Sequence, residues 1–264
     1  MVKDWFEPRQ NITFESSMEK NKEWFKEWFN SPYYHILYGE RDRKEAEFFL
    51  TNLVNRYHPK PDSNFLDLAC GAGRHSVFLN NLGFSVTGID LSSHSISLAK
   101  QFENSKLHFE VGDLRTFTMP QKFDFVLNLF TSFGYFDCMN TNKLVINQVM
   151  QVLKPNAYFI IDFLNSAKIL KGLIPHEVKE IQGINFDIKK ENVDGIIVKD
   201  IRFKDQGQSF HYQEKVQALS LQDFELLFEA CGLKLIETFG NYSLGSFEVN
   251  ESDRLILVTQ PKYA

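Results

Sequence analysis

The sequence of 264 residues has little cysteine and no long apolar run. Its three cysteines, Cys70, Cys138 and Cys231, are far apart and form no Cys-x-x-Cys pair, which excludes a disulfide framework and a zinc site built on cysteine. No apolar stretch approaches the ~18–20 residues needed to cross a bilayer. The N-terminal segment also lacks the basic start and apolar centre of a signal peptide. We therefore expect a cytoplasmic protein with no metal site and no membrane partner.

A surplus of basic residues is also absent. The 29 lysines and arginines are outnumbered by 34 acidic residues, so the formal net charge is −5. A mildly acidic chain has no general electrostatic attraction for a polyanion, and nucleic acid is therefore not an expected partner. The composition, 43% hydrophobic and 24% charged, is that of a globular protein, and the length suits one large domain or one domain with an elaboration.

Residues 1–59 are predicted to form a helical N-terminal cap. Within it, Trp24, Phe25, Trp28 and Phe29 recur at helical spacing and form one aromatic face. The charges beside this face are mixed in sign, which favours a lid or a dimer contact over a membrane-surface helix.

From residue 60 the pattern changes to short apolar runs that alternate with helical stretches. The runs predicted as strands are 64–69, 84–90, 107–112, 123–130 and 158–165, with a predicted helix at 141–153 between the last two. Strands that are apolar at nearly every position and separated by helices indicate a parallel sheet covered on both faces. Residues 60–165 are therefore interpreted as the cofactor-binding half of a doubly wound α/β domain.

The rest of the chain departs from that rhythm. Residues 177–219 alternate with period two, which predicts that residues 166–219 form an antiparallel β insertion on the substrate side. Its turn signals are 182–183, 194–195 and 205–207. Residues 220–264 supply a helix and two closing strands of the main sheet. The predicted fold is thus α/β: a doubly wound, mostly parallel seven-stranded sheet with helices on both faces, a helical cap, and an antiparallel insertion after the fifth strand.

The sharpest chemical signal is a glycine loop between the first strand and the next helix. In DLACGAGRH (67–75), Gly71 and Gly73 let the backbone approach a ligand, and the helix start offers free N–H groups to an anion. Asp90 ends the second strand, where a carboxylate can accept hydrogen bonds from ribose hydroxyls. The combination predicts a cofactor that contains a ribonucleoside.

The glycine spacing and several further segments narrow the choice of cofactor. A dinucleotide fingerprint, Gly-x-Gly-x-x-Gly, needs a glycine where Ser76 stands, which disfavours NAD and FAD. The chain instead resembles the class I S-adenosylmethionine-dependent methyltransferases, in motifs that follow one another in the family's order. The matching segments are LDLACGAGRHS (66–76), GIDLS (88–92), VGDLRTF (111–117), FDFVLNLFTSFGYF (123–136) and LKPNAYFIIDF (153–163). NSPYYHILYGERDR (30–43) is similar to the cap of small-molecule members.

This resemblance implies a Rossmann-like fold, S-adenosylmethionine as cofactor, and a role for individual residues. The glycine loop would meet the methionine part, with Asp67 facing its amino group. Asp90 would hold the ribose hydroxyls, Asp113 would contact the adenine, and Phe130 would lie near the reactive methyl. The full predicted cofactor set is Asp67, Ala69, Cys70, Gly71, Gly73, Asp90, Leu91, Asp113, Leu114, Asn128, Leu129 and Phe130.

The implied reaction is direct displacement of a methyl group from sulfonium onto a nitrogen, oxygen or carbon nucleophile. It depends on alignment and on exclusion of water more than on a strong acid or base. The residues expected to contact a small-molecule acceptor are Tyr33, Tyr34, Phe133 and Tyr135. Spacing singles out no catalytic base, and the candidates are His35, Tyr135, His211, Tyr33, Tyr34, Asp137 and Tyr212.

Two motifs of DNA-modifying methyltransferases are missing. The fourth strand ends in Asn-Leu-Phe-Thr (128–131) instead of Asn/Asp-Pro-Pro-Tyr/Phe, and no Pro-Cys pair occurs. We therefore expect no DNA partner, while RNA and protein acceptors stay open, as does the choice between monomer and homodimer. The alternative functions are an NAD-dependent oxidoreductase of Rossmann type and a noncatalytic module that binds a nucleoside cofactor.

Overall fold

The computed structural model describes residues 23–39, 43–136 and 138–262, and the candidate base Asp137 lies outside these ranges. The helices are α1 (Trp24–Phe29), α2 (Pro32–Tyr38), α3 (Arg43–Tyr57), α4 (Arg74–Asn81), α5 (Ser93–Ala99), α6 (Met139–Val152), α7 (Ser166–Lys171) and α8 (Leu221–Cys231). The strands are β1 (Asn64–Leu68), β2 (Ser85–Asp90), β3 (Leu107–Val111), β4 (Phe123–Asn128), β5 (Leu153–Leu164), β6 (His176–Ile181), β7 (Ile184–Val193), β8 (Ile196–Asp205), β9 (Gln208–Gln217), β10 (Leu233–Phe239) and β11 (Arg254–Pro261). None of the helices in these ranges is long and apolar enough to cross a membrane.

Seven strands form one sheet in the order β10-β11-β5-β4-β1-β2-β3. The neighbours from β5 to β3 pair in parallel, while β11 is antiparallel to both β5 and β10. The direction of chain progression reverses between β1 and β4. In open α/β sheets, ligands bind outside the carboxyl ends of the strands at such a point. The loops after β1, β2 and β4 meet there.

Strand residues alternate between two hydrophobic cores, one on each face of the sheet. On β4, Val126 belongs to a core that also contains residues of α6 and α8. Its neighbours Phe125 and Leu127 belong to a core shared with α3, α4 and α5. Because both faces are covered, the central strands are apolar at nearly every position. The predicted fold class is confirmed.

The segment between α7 and α8 forms a separate antiparallel sheet in the order β6-β7-β8-β9, called here the insertion sheet. Each hairpin turn has two successive residues with positive φ, the second a glycine, as a two-residue type I′ turn requires. These pairs are Gln182-Gly183, Asp194-Gly195 and Gln206-Gly207. The turn signals in the sequence therefore mark the turns of the insertion sheet.

The cap helices α1 and α2 pack on the insertion sheet and share a third hydrophobic core with it. Its buried members are Trp24, Phe25, Trp28, Leu37, Ile184, Phe186, Ile188, Ile201 and Phe203. Trp28 is fully buried and donates its Nε1–H to Glu214 of β9 at 2.7 Å. The aromatic face of α1 is thus covered within the chain.

One boundary differs from the prediction. Strand β5 begins at Leu153, which pairs with Phe123, whereas the sequence pattern places a helix up to that residue and a strand only from 158. Lys154 precedes Pro155, and a residue before proline is biased toward extended backbone. Strand β5 therefore starts earlier than predicted. It contains Asn156, whose positive φ of +61° departs from regular strand backbone.

Candidate active site

A cavity of about 440 Å³ lies between the cap and the loops after β1, β2 and β4. Pockets for small molecules measure roughly 300–1,000 Å³. The core lines it with Ala69, Cys70, Gly71, Ala72, Arg74, His75, Val77, Asp90, Leu91, Ser95, Phe102, Asp113, Leu114, Leu129, Phe130 and Ser132. The remaining lining residues are Phe25, Phe29, Tyr34, His35, Tyr38, Gly39, Arg43, Tyr135 and Phe136. In the described part of the chain, the insertion at 166–219 adds nothing to this lining and supports the cap from behind.

The two glycines of the loop after β1 have different structural roles. Gly71 has a φ of +56° and open space where a side chain would project, so its backbone borders the cavity freely. Gly73, at the start of α4, has a φ of +81°, and a Cβ there would lie 2.6 Å from the ring of Phe109. Gly73 therefore allows α4 to pack closely on β3 and does not border the cavity.

Asp90 ends β2 and faces the cavity. Its Oδ2 accepts the Gly71 N–H at 2.8 Å, and its Oδ1 accepts the Ser92 N–H at 2.7 Å. Burial raises the pKa of the Asp90 carboxyl, and the two backbone donors oppose that rise. Since a carboxylate oxygen has two lone-pair sites, each oxygen keeps one for a ligand hydroxyl.

Asp67 lies behind the glycine loop. Its side chain is 1% exposed, and its Oδ2 accepts the Ser76 hydroxyl at 2.6 Å. Burial raises the pKa of the Asp67 carboxyl to about 7. The carboxyl does not border the cavity, in contrast to the predicted contact with a cofactor amino group. Its hydrogen-bond donor is Ser76, the residue that stands where a dinucleotide-binding loop has its third glycine.

Asp113 and Leu114 line the cavity after β3. Arg115 donates to the Asp113 carboxylate through Nε at 2.9 Å and Nη2 at 2.6 Å, and to Glu23 of the cap at 2.9 Å. Burial acts to raise the pKa of Asp113, but the hydrogen bonds from Arg115 outweigh it and hold that pKa below its usual value. Asp113 thus ties the cap to the core through Arg115, and its predicted adenine contact stays a prediction.

The turn after β4 places Leu129, Phe130 and Ser132 in the cavity wall. Asn128, predicted beside them, is 1% exposed. Its Nδ2 donates to the backbone oxygens of Leu68 at 3.3 Å and Ser132 at 3.4 Å. Asn128 therefore fastens this turn to β1 and does not border the cavity.

Aromatic rings form the cap side of the cavity. The ring of Phe29 lies 5.0 Å from that of Tyr34 and 5.2 Å from that of Tyr135, centroid to centroid. Tyr38 donates its hydroxyl hydrogen to Glu214 of the insertion sheet at 2.7 Å. Tyr34 and Tyr135, both predicted to contact an acceptor, are therefore together on one wall.

His35 borders the cavity near the loop after β2. Its Nε2 lies 3.2 Å from Ser95 Oγ in the first turn of α5, and its ring is 5.3 Å from that of His94. Burial, and then the proximity of His94, lowers the pKa of His35. The imidazole is therefore neutral at pH 7.

Three predicted residues belong to the cap–insertion interface or to the insertion sheet instead. Tyr33 donates its hydroxyl hydrogen to Asp205 at 2.8 Å, and the Tyr212 ring lies 4.6 Å from Trp28. His211 is half exposed, with its Nε2 2.6 Å from an oxygen of Asp200 on the neighbouring strand. None of these side chains lines the cavity.

Phe133, predicted as a wall for the acceptor, is a core residue. It is 1% exposed and its ring lies 5.6 Å from that of Phe224 in α8. Only two positions further along the same loop, Tyr135 borders the cavity. In this loop the ring of Phe133 therefore lies in the core, while the ring of Tyr135 lies against the cap.

Arg74 and His75, in the first turn of α4, are among the cavity residues that the sequence did not predict as site residues. The Arg74 guanidinium carbon lies 4.1 Å from the centre of the Phe130 ring, and the His75 ring lies 5.2 Å from it. Burial lowers the pKa of His75 to about 3, so this imidazole is neutral. Their position directly after Gly73 was the available signal, because the first turn of that helix faces the ligand site.

A family model described as a methyltransferase domain matches residues 59–223. This range is more than half of the chain and contains every loop on the core side of the cavity. The chain belongs to this methyltransferase family. The predicted S-adenosylmethionine-dependent methyltransferase activity and its cofactor are thereby confirmed, and the NAD-dependent alternative falls away.

Individual relatives agree with the family assignment. A solved S-adenosylmethionine-dependent methyltransferase from Clostridium acetobutylicum ATCC 824 shares the fold, with a TM-score of 0.74 at 20% identity over 87% of this chain and 96% of the other. The dTDP-3-amino-3,4,6-trideoxy-alpha-D-glucopyranose N,N-dimethyltransferase of Streptomyces venezuelae is 21% identical over 196 residues, 70% of this chain and 81% of its own length. The putative methyltransferase YqeM of Bacillus subtilis (strain 168) is 38% identical over 107 residues, 39% of this chain, and this match spans only 43% of YqeM.

The cavity residues of this methyltransferase fit S-adenosylmethionine. The backbone at Gly71 is unobstructed, and Asp90 keeps an acceptor position on each oxygen, as the predicted contact with ribose hydroxyls requires. The ring of Tyr135, which lines the cavity, is suited to a sulfonium because aromatic rings attract cations. The wall between these groups consists of Ala69, Cys70, Leu91, Leu114 and Leu129. Among the described residues, no three His, Cys, Asp or Glu side chains converge as a metal site would require.

Proposed function

We propose that this methyltransferase transfers the methyl group to an amine nitrogen of a small polar molecule. The observation that carries the proposal is the covered cavity, in which Phe29, Tyr34 and Tyr135 face the glycine loop. A space of about 440 Å³ under two helices suits a small acceptor better than a polynucleotide or a folded protein. The net charge of −5 also offers no attraction for DNA.

An amine is favoured over a hydroxyl by the chemistry of the cap wall. Aromatic faces attract cations, and a nitrogen that receives a methyl group gains positive charge. A methylated oxygen that loses its proton gains none. The Streptomyces venezuelae relative is named for methylation of an amino sugar at nitrogen. Both considerations support an amine, and a sugar amine is the first acceptor to test.

The roles of the protein side chains follow from where they border the cavity. Gly71 and Asp90 orient the cofactor through backbone and carboxylate contacts. Bound S-adenosylmethionine supplies an electrophilic methyl on a positively charged sulfur. The rings of Phe29, Tyr34 and Tyr135 exclude water from the space where the acceptor enters, which such a displacement requires.

After transfer the methylated nitrogen carries the positive charge, and uptake of the proton that it then releases is assigned to His35. Of the base candidates in the sequence, His35, Tyr34 and Tyr135 line the cavity. The lowered pKa of His35 leaves it neutral and able to accept a proton at pH 7. A tyrosine hydroxyl ordinarily ionises only near pH 10.

The cytoplasmic location, and the choice between monomer and homodimer, stay predictions.

The test begins with the cofactor and then moves to the acceptor. Thermal unfolding is followed with S-adenosylhomocysteine, S-adenosylmethionine or NAD in excess, and we expect stabilisation by the two adenosyl sulfur compounds only. A ligand at ~100 times its Kd adds about 2.7 kcal/mol, a shift of several degrees.

Transfer of a labelled methyl group is then measured to aminodeoxy sugar nucleotides and small amines, each beside its hydroxyl counterpart, and to bulk RNA and protein. We expect label in the amines. Label only in the hydroxyl compounds or in macromolecules would refute the amine proposal. Binding without transfer to any acceptor class would favour the noncatalytic module.

A further inference from the structure

The turn after β4 has an unusual backbone. Phe130 and Thr131 have φ values of +57° and +61°, two successive left-handed residues that are not glycine. A left-handed backbone is costly for bulky and β-branched side chains and persists only where the surroundings enforce it. In the described ranges, every other non-glycine residue with positive φ lacks a non-glycine neighbour of the same kind. Something must hold this turn.

The holding group is a buried carboxylate on the next strand. Asp162 of β5 is fully buried, and its Oδ2 accepts the Phe130 N–H at 2.9 Å. The backbone oxygen of Asp162 accepts the Thr131 N–H, also at 2.9 Å. Both amides of the strained pair are therefore bound by one residue, which fixes the direction of the turn.

Two further side chains fix the carboxylate. Arg254 of β11 donates its Nε–H to Asp162 Oδ1 at 2.7 Å and an Nη2–H to Thr131 Oγ1 at 3.0 Å. Tyr242 donates its hydroxyl hydrogen to Asp162 Oδ2 at 3.0 Å. Asp162 thus accepts from both sides, and an asparagine there would present an N–H₂ group to a donor.

The turn after β4 positions the ring of Phe130. The Arg74 guanidinium lies 4.1 Å from its centre, and the ring of Tyr242 is stacked with it at a centroid distance of 5.5 Å. Arg74 belongs to the helix that the glycine loop opens. Phe130 itself lines the cavity. The orientation of this backbone therefore decides how one wall of the cofactor cavity faces the glycine loop.

We propose that Asp162 and Arg254, with Tyr242, are positioning residues of the cofactor site: they hold Phe130 and Thr131 in left-handed backbone and so keep the Phe130 ring in the cavity wall. The inference goes beyond the proposed amine acceptor and does not depend on it. A merely structural ion pair would stabilise the sheet without acting on cofactor affinity.

The test compares two ion pairs at opposite ends of β5. Asp124, at the start of β4, pairs with Lys154 of β5 at 2.7 Å and accepts the Asn64 N–H at 2.8 Å. Asp124→Asn therefore makes the same substitution at an ion pair that also has a backbone contact, at a partly exposed position away from the cavity. Affinity for S-adenosylhomocysteine is titrated by calorimetry, and amide exchange is followed at Phe130 and Thr131.

We expect Asp162→Asn to weaken S-adenosylhomocysteine binding at least about tenfold and to speed exchange at both amides, with Asp124→Asn within about twofold of the native protein. Adding Thr131→Gly to Asp162→Asn should recover much of the affinity, because glycine adopts left-handed backbone without cost. Equal affinities in the Asp162→Asn and Asp124→Asn variants, or no recovery with glycine, would overturn the proposal.

A milder pair of variants serves if Asp162→Asn does not fold. Tyr242→Phe removes one hydrogen bond to Asp162, and Tyr57→Phe removes the matching bond from Tyr57 to Glu237 far from the turn. We expect about threefold weaker binding only for Tyr242→Phe. Equal binding by both would also overturn the proposal. Because the titration needs no acceptor, a wrong amine proposal appears only in the transfer assay.

Discussion

The glycine-loop end of the cavity is assembled from near neighbours in the chain, whereas its aromatic end joins distant segments. Asp90 meets Gly71 across 19 positions, and Ser76 meets Asp67 across 9. The hydroxyl of Tyr38 instead reaches Glu214 across 176 positions. The first end is formed by β1, the glycine loop and α4, together with the neighbouring strand β2. The second end forms only when the cap packs on the insertion sheet.

We expect this difference to separate cofactor binding from acceptor choice. The local end can stay the same while the cap or the insertion changes, because few of its contacts cross into them. Two of the links that do cross are Arg115, which binds Asp113 in the core and Glu23 in the cap, and His35 of the cap, which lies 3.2 Å from Ser95 Oγ. The predictions below test whether the two ends respond separately.

The largest effect is expected inside the glycine loop. Gly73→Ala should lower the free energy of unfolding by about 3 kcal/mol, because its Cβ would meet Phe109 and its φ is left-handed. Gly71→Ala should cost only about 1 kcal/mol, since the space there is open. Urea unfolding of both variants measures the difference. Equal losses of unfolding free energy in the two variants would contradict the different structural roles of Gly71 and Gly73.

Asp90→Ala should weaken S-adenosylhomocysteine binding about thirtyfold, or about 2 kcal/mol, through loss of hydrogen bonds to the ribose. The Gly71 and Ser92 amides also lose their acceptor, so the thermal midpoint must be recorded to show that the variant is folded. Asp90→Asn is the control because its one oxygen can still accept. Unchanged affinity in the alanine variant would refute the ribose role.

Asp67→Asn should stabilise the ligand-free protein in a pH-dependent way. The pKa of Asp67 is raised from 3.8 to about 7, so at intermediate pH the folded protein keeps a proton that the unfolded chain releases. The native protein therefore loses stability as pH rises from about 4 to about 7 and no more above it. Asparagine has no such proton, and we expect a gain of about 2 kcal/mol at pH 8 that shrinks at pH 5. Urea unfolding at both values checks the sign, and a gain that grows toward low pH would contradict it.

The smallest effect is expected at the aromatic end. Glu214→Gln keeps the size of the side chain but weakens the bonds from Trp28 and Tyr38, by about 1 kcal/mol in total. Amide exchange should quicken in residues 23–39, with little change in the main sheet. Glu177→Gln, which removes a pairing with Lys190 inside the insertion sheet, should leave the cap unchanged. Equal exchange in the cap of both variants would show that Glu214 does not anchor it.

The sequence predicts most of the fold because its signals are local. The apolar runs mark β1 to β5, and the turn pairs mark the insertion hairpins, since a type I′ turn needs particular residues at two adjacent positions. Gly71 and Asp90 could be predicted for the same reason, as both belong to one strand–loop pattern.

The aromatic end could not be predicted in the same way. Tyr33 and Tyr34 are adjacent, yet one bonds to the insertion sheet and the other lines the cavity. Phe133 and Tyr135 diverge similarly. Tyr33 bonds to Asp205 and Phe133 packs on Phe224, both distant in the chain, and no short-range pattern carries that information.

The cap has an optical consequence. In the described ranges the only tryptophans are Trp24 and Trp28, both in α1 and both less than a tenth exposed, while Trp5 lies outside those ranges. The main sheet therefore contributes no tryptophan emission of its own. A red shift of the buried indoles would report detachment of the cap, while far-ultraviolet circular dichroism would report the sheet. The two halves of the enzyme can be timed separately in one stopped-flow experiment without any added label.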